Sequence, residues 1–271
     1  MADLGVIMSE EIDKLIAIIA RLRAPGGCPW DREQTHRSIL SCLLDETYEF
    51  FEAVEEGNAE GMREELGDLL LQVVLHAQMA MEEGAFTIDD VAREISEKLI
   101  RRHPHVFGDA SASSPKEVLK NWETIKRGEK KHRKYIVDGI PDALPALFRA
   151  EKMQRRVARV GFDWTDIEPV LDKVEEEFVE FRKAIRNQDR ENAREELGDI
   201  LFALVNVGRH ANICAEDALR ATVKKFCRRF RFIEDRYAAL GKDLKNASLE
   251  EMDKYWEESK ETERGENESR D

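Results

Sequence analysis

Glu176-Glu177-Phe178-Val179-Glu180, followed by Glu196-Leu197-Gly198-Asp199, is the passage on which the fold turns. The same pattern stands earlier as Asp45-Glu46-Thr47-Tyr48-Glu49 and Glu65-Leu66-Gly67-Asp68, displaced by 131 residues with no insertion. In each copy the third carboxylate of the quartet follows the first by 19 residues. Glu46 and Glu49 are three apart, so a helix places them on one face, and Glu65 with Asp68 repeats this on the next helix. Leu66, Leu69, Leu70, Val73 and Val74 recur at i, i+3, i+4, i+7 and i+8, the stripe of a core-facing helix.

Working outward, other markers repeat. Lys98-Leu99-Ile100-Arg101-Arg102 echoes Lys225-Phe226-Cys227-Arg228-Arg229, and Trp122-Glu123-x-x-Lys126 echoes Trp256-Glu257-x-x-Lys260. Trp30, three residues after Gly27, echoes Trp164 after Gly161, so all four tryptophans fall into two pairs. Duplication of a helical unit of about 110 residues explains this, because internal self-similarity is the signature of repeated supersecondary units. The expected organisation is all-α: a first helical-bundle domain over 1–128, a linker over 129–145, a second domain over 146–262 and a disordered tail over 263–271. Ala24 to Asp31, rich in Gly and Pro, is read as a loop, and Val118 to Lys126 as the only helical stretch between Gly108 and Pro145. Thr87 with Asp90, and Ser248 with Glu251, are read as helix N-caps.

Composition narrows the function. The 271 residues are 37% charged with only 7 prolines, which favours helices with solvated faces over a strand-rich sandwich. A net charge of −14 repels phosphate backbones and argues against a nucleic-acid polymer as partner. The eight quartet carboxylates and a net −4 over residues 257–271 make up most of that charge, so the acidity is concentrated rather than spread over the surface. The first residues lack a basic segment followed by an apolar run, and no run of ~18 apolar residues occurs, so no leader or membrane span is expected. Cys28, Cys42, Cys214 and Cys227 form no C-x-x-C pair, as in a reduced, cytoplasmic protein.

Four carboxylates at close range repel one another, and a hard divalent cation relieves the repulsion. Mg²⁺ or Mn²⁺, which take oxygen ligands, suit Glu46, Glu49, Glu65 and Asp68 in one half and Glu177, Glu180, Glu196 and Asp199 in the other. Solvated acidic helix faces are the plainer reading of a single copy; two copies with one spacing favour the metal. Lys98, Arg101, Arg102, Lys225, Arg228 and Arg229 either grip phosphate oxygens or complement helix C-termini. Trp122 with Lys126 and Trp256 with Lys260 either stack on a base and reach a phosphate or pack in the core.

Taken with Gly27-Cys28-Pro29-Trp30-Asp31, Arg101-Arg102-His103-Pro104-His105-Val106-Phe107 and Gly161-Phe162-Asp163-Trp164, the E-x-x-E and E-L-G-D motifs resemble the MazG family of nucleoside triphosphate pyrophosphohydrolases across about residues 10–262. The resemblance implies a dimerising helical bundle that hydrolyses a nucleoside triphosphate to the monophosphate and pyrophosphate with Mg²⁺, in a house-cleaning role with broad base tolerance. It also implies that the two quartets bind metal and that Lys225, Arg229, Trp256 and Lys260, with Lys98, Arg102, Trp122 and Lys126 as counterparts, hold nucleotide. The family's leading Glu-Glu is Asp45-Glu46 in the first half and intact as Glu176-Glu177 in the second. Water attack on the α-phosphorus follows, with Glu176 a candidate outer base beside Glu177, Glu180, Glu196 and Asp199.

Rival readings fare worse. A di-iron bundle needs two E-x-x-H motifs, and only Glu33-x-x-His36 fits. His103-Pro104-His105 lacks partner ligands for zinc. A helical adaptor that only binds nucleotides or proteins leaves two intact quartets without a purpose.

Overall fold

The computed structural model describes residues 10–129 and 134–268, which form helices and connecting turns with no strand among them. The chain divides into two compact units, Met1–Lys131 and His132–Asp271. Residues 130–133 of the expected linker and 269–271 of the expected tail lie outside the described residues.

The first unit contains α1 (Glu10–Arg23), α2 (Pro29–Glu33), α3 (Leu40–Glu55), α4 (Ala59–Glu82), α5 (Ile88–Arg102), α6 (Pro104–Phe107) and α7 (Pro115–Glu129). Helices α3 and α4 form a hairpin around Gly57, whose φ of +64° needs no side chain to be accommodated, and the Asn58 side chain then accepts the Gly61 N–H at 3.0 Å. The predicted capping box at Thr87 and Asp90 is present, with both reciprocal bonds made. α1 lies against α4 and buries Ile19 among Ile39, Val74, Leu75 and Met79.

The second unit repeats the plan with α8 (Ala146–Ala158), α9 (Glu168–Arg186), α10 (Arg190–His210), α11 (Ala215–Ala239), a 3₁₀ turn at Leu244–Asn246 and α12 (Leu249–Glu268). The 131-residue register holds in three dimensions: Ala53 and Ala184, Val74 and Val205, and Ile39 and Val170 are buried pairs. Asp189 caps α10 as Asn58 caps α4.

Four sequence expectations are revised. Pro29 starts one helical turn inside the expected loop, since its ring presets a helical φ at the first position. α7 is longer than expected at both ends and enters the expected linker. Within that linker Ile140 is buried and Arg156 donates to the backbone carbonyls of Ile136 and Asp138, which ties 134–145 to the second unit. α12 continues through Glu268 instead of giving way to a tail at 263, because Glu263 accepts hydrogen bonds from Arg228 and Arg229 and holds the extra turns against α11.

The stripe on α4 also divides. Val74 faces the core, but Leu66, Leu70 and Val73 are exposed, and so are their counterparts Leu197, Leu201 and Leu204 on α10. The apolar band is wider than the partner helices of one unit can cover.

Candidate active site

Helix hairpins bring the carboxylates together. In the first unit oxygen atoms of Glu46, Glu49 and Glu65 lie within 4.8 Å of one another; in the second, those of Glu177, Glu196 and Asp199 do. Asp68 and Glu180 fall outside these tightest triplets but act on them. Desolvation, and then the charge of Asp68, pushes the Glu46 carboxyl above the usual carboxylate range. Glu65 is raised by desolvation and then by Glu49, and Glu196 by desolvation and then by Glu180 and Glu177. Oxygen-only donors with unrelieved repulsion fit a hard divalent cation.

The two clusters differ in one cation. Lys173, one turn before Glu177, contacts the Glu177 carboxylate at 2.7 Å and that of Glu176 at 2.9 Å, and these bonds raise its own pKa. Glu177 is buried, so this ion pair offsets a desolvated charge. In the register of the repeat, the first unit has Cys42 at that position.

Beside the second cluster opens a cavity of about 370 Å³. Its walls come from α8 (Met153, Gln154, Val157), the loop before α9 (Phe162, Asp163, Trp164), α9 (Val170, Lys173, Glu177) and α10 (Asp199, Phe202, Ala203, Asn206, Arg209). The carboxylates of Glu177 and Asp199 thus border an enclosure that is mostly apolar, with a few polar groups, as ligand pockets are. Asp163 organises one wall: its carboxylate accepts the Trp164 N–H at 3.0 Å and the Arg209 guanidinium at 2.9 Å, and that guanidinium holds the Asp163 carboxyl below its ordinary range. Sequence reasoning missed Lys173, Gln154, Asn206 and Arg209. The signal for Lys173 was the Cys42/Lys173 difference between the copies; Trp164 had been seen as a repeat marker and as part of a family motif, with no role at the site.

The basic motifs pair with carboxylates of their own. Arg101 and Arg102 converge on Glu129, as Arg228 and Arg229 converge on Glu263. The paired arginines hold the Glu129 carboxyl down at about 2. Arg102 lies over the Trp122 ring at 5.3 Å with Lys126 at 4.4 Å, and Arg229 lies over Trp256 at 5.6 Å. Phe226 packs on Trp256 with ring centroids 5.3 Å apart. Lys98 reaches Glu94 at 3.7 Å and Lys260 reaches Glu257 at 2.6 Å. Arg228, Arg229 and neighbouring Lys225 stand more than two turns before the end of α11, so complementing that helix's C-terminus is not their role. Each arginine pair is tied to the following long helix by a shared carboxylate. The His36 ring stacks on His76, with their Nδ1 atoms 2.7 Å apart.

A duplicated all-α chain with a carboxylate cluster on the helical hairpin of each unit falls in the class of all-α nucleoside triphosphate pyrophosphatases. The model of the MazG nucleotide pyrophosphohydrolase domain matches residues 34–107 and again 166–231, which covers both hairpins, and the chain belongs to that family. The chain is 49% identical over 255 residues to the nucleoside triphosphate pyrophosphohydrolase of Escherichia coli (strain K12), which is 92% of this chain and 97% of that protein. It is 46% identical over 261 residues to the nucleoside triphosphate pyrophosphohydrolase/pyrophosphatase MazG of Thermotoga maritima, 96% of this chain and 98% of that protein.

Proposed function

We propose that the chain hydrolyses nucleoside triphosphates to the monophosphate and pyrophosphate, in its second unit, with Mg²⁺ or Mn²⁺ held by Glu177, Glu180, Glu196 and Asp199. The observation that carries this is the cavity bordered by Glu177, Asp199 and Lys173: a space for the nucleoside next to charges that suit a metal–triphosphate. The names of the relatives support the same reaction. A bound cation supplies charge neutralisation for the triphosphate and lowers the pKa of water. The protein's own groups do the rest. The cavity excludes bulk water from the nucleoside, Lys173 presents a cation towards the phosphates, and the exposed Glu176 carboxylate accepts the proton of the attacking water as the bond to the α-phosphorus forms and pyrophosphate leaves.

The first unit keeps Glu46, Glu49, Glu65 and Asp68 but has Cys42, Leu75 and Gln78 where the second has Lys173, Asn206 and Arg209. It is a metal-binding copy without the second unit's polar cavity wall. Broad base tolerance and a cytoplasmic house-cleaning role complete the reading. The exposed leucines repeated on α4 and α10 support a homodimer, to be checked by sedimentation equilibrium: a monomer at micromolar concentration rejects it.

Glu46→Ala and Glu177→Ala separate the sites, with products followed by phosphorus NMR. Pyrophosphate from wild type, and its loss only in Glu177→Ala, is expected. Orthophosphate with a diphosphate, or equal partial losses in the two variants, overturns the assignment.

A further inference from the structure

Two amides in the second unit's cavity are arranged as a reader of hydrogen bonds. Gln154 and Asn206 line the cavity from α8 and α10 and are 5% and 7% exposed. Gln154 Nε2 donates to the Phe202 carbonyl at 2.8 Å, which fixes the orientation of the amide; its Oε1 is buried without a partner. Arg209 Nε donates to Asn206 Oδ1 at 2.9 Å, which fixes the second amide the other way, leaving its NH₂ as the uncommitted end. Two amides that line the cavity thus each have one half engaged by the protein and the other half, an acceptor on Gln154 and a donor on Asn206, uncommitted. A buried amide oxygen without a partner is costly and rare. A ligand carrying an N–H relieves it.

The supports are shared with the stacking wall. Asp163 holds both the Trp164 backbone and Arg209, and Arg209 holds Asn206. One network thus fixes the backbone of an aromatic residue and a hydrogen-bond donor, both on residues that line the same cavity. A flat ring with a polar edge, the shape of a nucleobase, answers all three features.

We infer that Gln154 and Asn206 read the polar edge of the nucleobase, Gln154 Oε1 accepting a base N–H and the Asn206 NH₂ donating to a base acceptor, while Trp164 supports the ring face. This rests on the hydrolase reading of the second unit and adds its specificity determinants. Every common base carries both a donor and an acceptor on its pairing edge, so the pair admits many bases. It rejects a base whose edge N–H is blocked. The first unit has Leu75 at the position of Asn206 and lacks this reader.

The test compares UTP, N3-methyl-UTP and ribose 5′-triphosphate, which has no base, in the full chain. In wild type, kcat/KM for UTP exceeds that for N3-methyl-UTP by roughly tenfold to a hundredfold, the usual cost of leaving a buried polar group unpaired. In Gln154→Met and in Asn206→Leu, a residue the fold accepts at position 75, that ratio collapses towards one. Hydrolysis of ribose 5′-triphosphate stays within about twofold of wild type in both variants, which a general loss of structure would not permit. A wild-type ratio retained in both variants, or an equal fall for the baseless substrate, overturns the readout. Calorimetry with α,β-imido-UTP and its N3-methyl form runs in parallel. Base-dependent binding without any pyrophosphate release keeps the readout and overturns the hydrolase reading instead.

Discussion

Lys173 is the place where the two carboxylate clusters part company, and replacing it by Met has an outcome that can be worked from the structure. Its ammonium lies 2.7 Å from Glu177. A Mg²⁺ ion bound to that same carboxylate oxygen at the usual distance of about 2.1 Å stands no more than about 4.8 Å from the ammonium. Lys173 is 37% exposed, so the repulsion is taken at water's dielectric, where it is at least about 1.7 kcal/mol for a divalent ion at that distance. If the lysine swings aside, the cation gains, but both ion pairs, to Glu176 and Glu177, are given up; either way the lysine weakens metal binding. In the nucleotide-free protein Lys173→Met therefore tightens Mg²⁺ at the second site by roughly tenfold. Its kcat/KM for nucleoside triphosphates falls, because the same cation faces the phosphates. Isothermal calorimetry on the full chain, in a Glu46→Ala background that silences the first cluster, reads the first effect, and steady-state kinetics the second. Circular dichroism confirms that the variant is folded. Metal affinity unchanged or weakened in Lys173→Met refutes the argument. Cys42→Lys is the mirror image: a lysine one turn before Glu46 loosens the first site.

The raised carboxyl of Glu196 predicts a stability effect of definite sign. Its protonated form suits the metal-free fold better than the unfolded chain, so its favourable contribution is present below the ordinary carboxylate range and is lost as pH rises through the raised value. Glu196→Gln thus raises the melting temperature in chelator more at pH 7.5 than at pH 4; a gain independent of pH contradicts this. Gln188 sits at φ +57° in the same inter-helix turn where the first unit has Gly57. Gln188→Gly stabilises the second unit by about 1 kcal/mol, since a left-handed side-chain residue is strained, and differential scanning calorimetry showing a lower melting temperature counts against it.

What the sequence disclosed follows from the range of the interactions involved. The quartets were legible because Glu46 with Glu49, and Glu65 with Asp68, are three residues apart on single helices, and a short hairpin turn joins those helices. The cavity was not legible: its walls come from four elements spanning Met153 to Arg209, and no periodicity links Gln154 to Asn206. The carboxylate partners of the arginine pairs were not legible for the same reason. Their partner Glu263 lies 34 residues beyond Arg229, in a segment whose composition resembles a solvated tail. The leucine stripe was read as that of a core-facing helix, and the structure buries Val74 but leaves Leu66, Leu70 and Val73 exposed, because periodicity reports which face is apolar but not how many neighbours a unit has to cover it.

Charge explains why two copies with the same quartet need not do the same work. A cluster of four carboxylates must be neutralised by cations, and the identity of the cation decides the chemistry. In the first unit the position one turn before Glu46 holds Cys42, which brings no cation to the repulsion among Glu46, Glu49, Glu65 and Asp68. In the second, Lys173 already supplies one positive charge to Glu177. On the proposed reading a metal there would be held less tightly than by bare carboxylates, and the remaining charge demand would be shared with a cation that can turn towards an incoming triphosphate. Weaker metal binding in the resting state and stronger binding in the presence of substrate are what a site needs if the ion is to arrive with the nucleotide and depart with pyrophosphate. On the proposed reading the first cluster, lacking that lysine, would keep its ion in the resting state, which would suit holding the helical hairpin together rather than turnover.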